Sequence, residues 1–238
     1  MEDFWRRYPS IKKIFGDEWL NDPINQMNHP LFRVCNEVDY LSSLNKYLDY
    51  LGGIARAKPT LTQLKNKTQF FDIYYEFEIA YFLSKFGLKP KLHNKISGKQ
   101  TDIFLEKENI VIEITHLHIP YIVEKKVVDF DSKVKSQPAP KGVTITFKNM
   151  EKMKSYLEEK EFQDVYPNIV CFCPEISAGN CYDLENLIED YKVSKNVSLL
   201  AIWRHQRILC SYQNPNGKKI EWKSSKLKNF FNSSFSLI

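Results

Sequence analysis

The segment Thr101-Asp-Ile-Phe-Leu-Glu-Lys-Glu-Asn-Ile-Val-Ile-Glu-Ile-Thr115 constrains this chain more than any other. Its two ends are β-like runs, and Lys107-Glu108 between them marks a turn, so the segment reads as a hairpin. If Glu106 faces Asn109 across that turn, the antiparallel ladder sets Asp102 directly opposite Glu113. Their Cβ atoms would then lie roughly 5 Å apart on one face. Thr115, two residues beyond Glu113, points to the same face. Lys107-Glu108 is poor chemistry for a two-residue primed turn; a longer symmetric loop is the alternative, and it preserves the pairing.

Ile110-Val-Ile-Glu-Ile reads as a strand buried on both faces, yet it carries a carboxylate in its middle. Two facing carboxylates in such surroundings repel one another and lose hydration, so the bare pair is unfavourable. A divalent cation removes both penalties, and Mg²⁺ favours one or two carboxylates with waters and phosphate oxygens. A third acid lies upstream, in a helix over Tyr75–Gly87. There Glu76, Ala80, Leu83 and Gly87 share one stripe, whose apolar members should face the sheet and carry Glu76 with them. Glu78 lies about 200° around the helix from Glu76 and reads as solvated.

The remaining sequence supplies the surroundings. Within 238 residues, 43% hydrophobic and 14% aromatic, there is ample material for a core. Apolar residues at Val34, Val38, Leu41, Leu44, Leu48 and Leu51 recur at helical spacing, and Gly52-Gly53 supplies a left-handed stop. With a break at Lys58-Pro59, residues 1–58 read as a helical N-terminal extension, 60–215 as the main domain and 216–238 as a basic, aromatic tail. In the main domain a helix from about Thr68 to Phe86 precedes strands at Lys89–His93, Thr101–Glu106 and Ile110–Leu117. A strand at Gly142–Thr146 and a helix from about Asn149 to Gln163 follow. Then come a strand at Asn168–Cys173, a helix at Asp183–Tyr191, and strands at Val197–Trp203 and Arg207–Tyr212. Strands interleaved with helices predict an α/β fold with a mixed, largely covered sheet.

Several function classes lose their usual anchor. The 8 glycines form no G-x-G-x-x-G, P-loop or G-x-S-x-G, and no H-E-x-x-H occurs. The five cysteines are odd in number, and no run of roughly 18 apolar residues is present, which predicts a soluble, reduced, cytoplasmic protein with no membrane partner. A net charge of +5 permits a polyanionic partner.

Helix with an inward Glu76, then Gly87, a strand, Asp102, and an apolar strand ending Glu113-Ile114-Thr115: this order resembles the PD-(D/E)XK nuclease superfamily, the restriction-endonuclease-like fold. The resemblance is specific over Tyr75–Thr115 and looser through Trp203. It implies a mixed β-sheet flanked by helices and a metal-dependent phosphodiesterase acting on DNA, less often RNA. Asp102, Glu113 and the Ile114 carbonyl would be metal ligands, Glu76 would bind metal or water, and the cofactor would be Mg²⁺ with Mn²⁺ as substitute. Many relatives dimerise to cut both strands, which makes a homodimer through the N-terminal helices the expectation by analogy.

Two positions depart from the family pattern. Thr101 stands for the signature proline and Thr115 for the signature lysine, which in the family positions or activates the attacking water and stabilises the developing charge. Threonine brings a hydroxyl and no cation. Thr115 stays a candidate catalytic residue; Lys99, Lys152, Lys154 and Lys160 are the candidate replacements, among which the sequence does not choose. The departure also favours a rival reading, a catalytically inactive nuclease fold that binds nucleic acid or protein.

Of the remaining candidates, His116 and His118 alternate away from Glu113, which argues against a shared metal. Cys171 and Cys173 share a strand face without a zinc-like fourth ligand at hand, Cys181 being the third thiol, and read as buried and inert. Lys89, Lys91, Lys95 and Lys99 lead up to Asp102, and Lys95 and Lys99 are the candidate contacts to a nucleic-acid backbone.

Overall fold

The computed structural model describes residues 2–33, 38–52, 58–117, 151–174, 193–204 and 206–232. The strand expected at Gly142–Thr146, the helix at Asp183–Tyr191, and His118, Cys35 and Cys181 lie outside the described residues.

One six-stranded mixed sheet, in the order β1-β2-β3-β4-β5-β6, carries the structure. Its strands are β1 Lys91–Ile96, β2 Lys99–Leu105, β3 Ile110–Leu117, β4 Asn168–Pro174, β5 Val197–Arg204 and β6 Arg207–Gln213. The first three form an antiparallel meander, β3, β4 and β5 run parallel, and β6 returns antiparallel. The parallel pair β3–β4 needs a crossover, and it contains a helix over residues 151–159, α9. Strand β1 begins two residues later than the sequence indicates, after Pro90, which has no N–H to give a ladder.

Helices cover both faces. The N-terminal helices are α1 Glu2–Trp5, α2 Pro9–Phe15, α3 Asp17–Asn21, α4 Pro23–Asn28, α5 Pro30–Arg33, α6 Val38–Gly52 and α7 Lys58–Gln63. They are followed by α8 Phe70–Lys85, and the chain's last described helix is α10 Ser225–Asn232. Leu41, Leu44, Leu48 and Leu51 of α6 are all buried, as their spacing requires.

The apolar residues of the N-terminal helices have no separate core. They join one cluster with α8, with Phe230 and Phe231 of α10, and with Ile103, Ile112, Ile114, Ile169, Cys171, Leu199 and Trp203 of the sheet. On the opposite sheet face Val170, Phe172, Leu200 and Ile202 pack with Met153 and Leu157 of α9. Among the described residues no helix is long and apolar enough to cross a membrane.

Helix α8 is enclosed between α6 and the sheet, and it stops at Gly87 with φ +79. The Gly87 N–H donates to Ser84 O (2.8 Å) and the Leu88 N–H to Leu83 O (3.0 Å), a pair of bonds that closes the helix and requires the left-handed residue. Enclosure overturns the expectation of a solvated Glu78. The carboxylate is buried and accepts from Tyr47 Oη (2.9 Å), Tyr74 Oη (3.3 Å) and Trp203 Nε1 (2.5 Å). The face of α8 turned from Glu76 meets α6 and the end of β5 instead of water, so three donors do what solvent would otherwise do.

Candidate active site

The β2–β3 hairpin has the register that the sequence indicates. Ile103 pairs with Ile112, Phe104 with Val111 and Leu105 with Ile110, and residues 106–109 form a four-residue loop with Asn109 at φ 55. One step beyond Ile103↔Ile112, the Asp102 carboxylate takes the Ile114 N–H at 2.7 Å. A side chain thus caps the main-chain ladder, and Asp102 is fixed beside Glu113. Asp102 lies close enough for its charge to act on the Glu113 carboxyl.

Glu113 points to the sheet face covered by α9, where its carboxylate is nearly sealed from water. Burial first, and then the Asp102 charge, push its pKa up to about 7, although the Lys160 ammonium pulls the other way. Lys160 follows α9, its N–H bonded to Tyr156 O at 2.9 Å, and its Nζ lies 3.0 Å from Glu113 Oε2. Burial alone would lower the pKa of that ammonium; the charges of Asp102 and Glu113 outweigh burial and raise it.

A knot of buried amides anchors the segment after Lys160. Gln163 Nε2 donates to Tyr166 O (2.7 Å) and Asn168 Oδ1 (3.0 Å), while Asn168 Nδ2 donates to Gln163 O (2.8 Å). From the other side Lys99 Nζ lies 3.4 Å from Glu161 Oε2 and 3.3 Å from Phe162 O. Lys99 therefore belongs to the support of Lys160. Lys95 is exposed on β1.

Glu76 comes from α8 on the other side of the sheet, turned toward it and buried. Its Oε2 lies 2.9 Å from His93 Nε2, and the β1–β2 register puts His93 opposite Asp102. Burial raises the Glu76 pKa to about 7, the His93 bond opposing and the Asp102 charge adding to the shift. Burial would lower the His93 pKa, but its bond to Glu76 and the charges of Glu76 and Asp102 leave it raised. Asp72, one turn before Glu76, adds to this field and accepts the His116 N–H at 3.1 Å.

Glu76 and Glu113 thus each feel the charge of Asp102, and Lys160 and Tyr156 feel all three acids, the buried hydroxyl of Tyr156 finding no hydrogen-bond partner among the described residues. Asp72, His93 and Tyr156 do not emerge from the sequence. The signal for Tyr156 is present, since Met153, Tyr156, Leu157 and Lys160 share one helical stripe. Thr115 is half-buried on the Glu113 face, and no side-chain hydrogen bond of it occurs among the described residues. The His116 ring stacks on Tyr75 (5.5 Å) on the α8 side, away from Glu113. Cys171 and Cys173 are buried free thiols with raised pKa values, burial being the cause.

Among the described residues, no three His, Cys, Asp or Glu side chains gather closely enough to hold a metal ion by themselves. A hard cation such as Mg²⁺ needs fewer, because waters and substrate oxygens complete its shell. The adjacent carboxyl groups of Asp102 and Glu113, one fixed by a main-chain N–H and the other buried, suit that minimal set. No protein-family model matches the chain, and comparison with curated proteins and with solved structures finds no match either.

Proposed function

We propose that the chain is a Mg²⁺-dependent nuclease of the restriction-endonuclease-like fold that hydrolyses phosphodiester bonds, DNA ahead of RNA. The observation that carries this reading is the Lys160–Glu113 contact at 3.0 Å. It returns an ammonium to the acidic pair on the face where Thr115 stands in for the signature lysine. The order of elements supports the same reading: α8 with its buried Glu76, the β1–β2–β3 meander bearing Asp102 and Glu113, then α9 and a strand parallel to β3.

In this mechanism Asp102 and Glu113 would hold the cation, with the Ile114 carbonyl as a further ligand. When bound, Mg²⁺ supplies Lewis-acid polarisation of the scissile phosphate and a water of lowered pKa. Lys160 turns its ammonium to the phosphoryl oxygens and stabilises the charge that grows there. The His93 contact fixes Glu76 on the α8 side, from where it would bind metal or water. The Gln163–Asn168 knot and Lys99 fix the segment that bears Lys160, so its placement needs little reorganisation.

Labelled DNA and RNA incubated with Mg²⁺, with Mn²⁺ or with EDTA test the reading. Cleavage is expected with either metal, none with EDTA, and none from Asp102→Ala. Absence of cleavage with every metal would leave the inactive nucleic-acid-binding module.

A further inference from the structure

The basic, aromatic tail has no part in the acidic site, yet its position is specific. Phe230 of α10 stacks on Trp203 (5.6 Å) and meets Phe86 edge-on (5.3 Å), while Leu227 and Phe231 are buried. Upstream, a Cβ on Gly217 would lie 2.2 Å from Val197 O, so the tail crosses the start of β5 at a spacing that only glycine permits. These contacts deliver the tail's cations to the tip of the β2–β3 hairpin. A Cβ on Gly87 would lie 3.2 Å from Lys226 Nζ. In the amide orientation that satisfies its neighbours, Asn109 accepts from Lys223 Nζ at 2.7 Å.

Between those two points opens a groove of about 140 Å³, lined by Gly87, Leu88, Lys89, Lys91 and residues 105–108. Lys89, Lys91 and Lys107 line it, while Lys226, beside Gly87, and Lys223, on Asn109, stand at its two ends. Among the described residues that line the groove the acids are Glu106 and Glu108, and Glu106 is already paired with Lys91 at 2.6 Å. Lys89, Lys107, Lys223 and Lys226 are exposed. Like charges assembled at one place raise each other's cost unless a polyanion shares the surface.

The groove also lies in line with the acidic site. Asp102 and Phe104 share one face of β2, Glu106 follows at the start of the loop, and Lys91 stands opposite Phe104. Four residues separate Asp102 from Glu106, at most about 13 Å of extended chain, a span that one bound strand covers in a few phosphates.

We infer that this lysine-rimmed groove is a second contact for the nucleic-acid backbone, gripping phosphates that flank the scissile one, and that the tail exists to complete it. The inference rests on the nuclease reading of the acidic site. Lysine without arginine here fits a contact that reads charge and not base sequence.

Anisotropy titrations of labelled single-stranded and duplex oligonucleotides, DNA and RNA, over a range of salt and with Ca²⁺ in place of Mg²⁺, test it. Lys223→Ala/Lys226→Ala should weaken binding alike for every sequence and reduce the salt slope by about 2. A matched control on the N-terminal helices, Lys13→Ala/Lys46→Ala, should leave both unchanged. An unchanged slope in the tail variant, an equal loss in the control, or no binding by wild type overturns the inference. Cleavage by wild type together with an unaltered tail variant would sink this contact and leave the nuclease standing. Loss of binding in the tail variant without any cleavage would do the reverse.

Discussion

At the scale of single residues, the account turns on charges that do not neutralise one another in the ordinary way. Glu76 and Glu113 both sit near pKa 7, against an ordinary 4.5, because burial disfavours their ionised forms. Between those values the folded chain holds protons that the unfolded chain has released, so stability falls as pH rises through that window. The raised His93 acts in the same direction. In EDTA, the melting temperature should drop from pH 5 to pH 7, and Glu113→Gln should flatten that slope; a stability that rises with pH would refute the buried-acid description. Lys160→Met should lower kcat by about 10²–10³-fold with KM little changed, the loss typical of one preorganised charge-stabilising group. Steady-state kinetics on an oligonucleotide substrate measures it, and a change confined to KM would assign Lys160 to binding alone.

At the scale of elements, the hairpin was the legible part. Its apolar alternation and the two acids fix a register that the structure repeats at Ile103↔Ile112. Lys160 could also have been chosen from its rivals, since it continues the buried Met153–Leu157 stripe whereas Lys152 and Lys154 leave it. His93 could not, because its place depends on a backbone at φ 49 that no alternation pattern announces. Glu78 was misread for a different reason: a helix apolar nearly all round has no solvent side, and the stripe logic assumes one. Its three donors tie α6, α8 and β5 together. Glu78→Ala should therefore cost about 3 kcal/mol or more in urea unfolding, since three buried donors lose their acceptor, and Glu78→Gln should cost less. A change within about 0.5 kcal/mol, as for an ordinary surface site, would contradict this account of the helix.

At the scale of the whole molecule, the sequence offers a break at Lys58-Pro59, but the core runs across it. Trp5, Ile11, Phe15 and Leu20 belong to the same buried cluster as the sheet residues Ile112 and Trp203. Unfolding followed through tryptophans of the N-terminal helices and through Trp203 should give coincident transitions; two separated transitions would show independent units. That shared core is what presses α8 on the sheet and sets Glu76 against His93, within the field of Asp102. The proposal that a cation belongs between Asp102 and Glu113 is tested most directly by titrating Mn²⁺ at pH 8 into wild type and Asp102→Ala. One divalent site in wild type, released by EDTA and lost in Asp102→Ala, is the expected result; no binding by wild type, or equal binding by both, would contradict it.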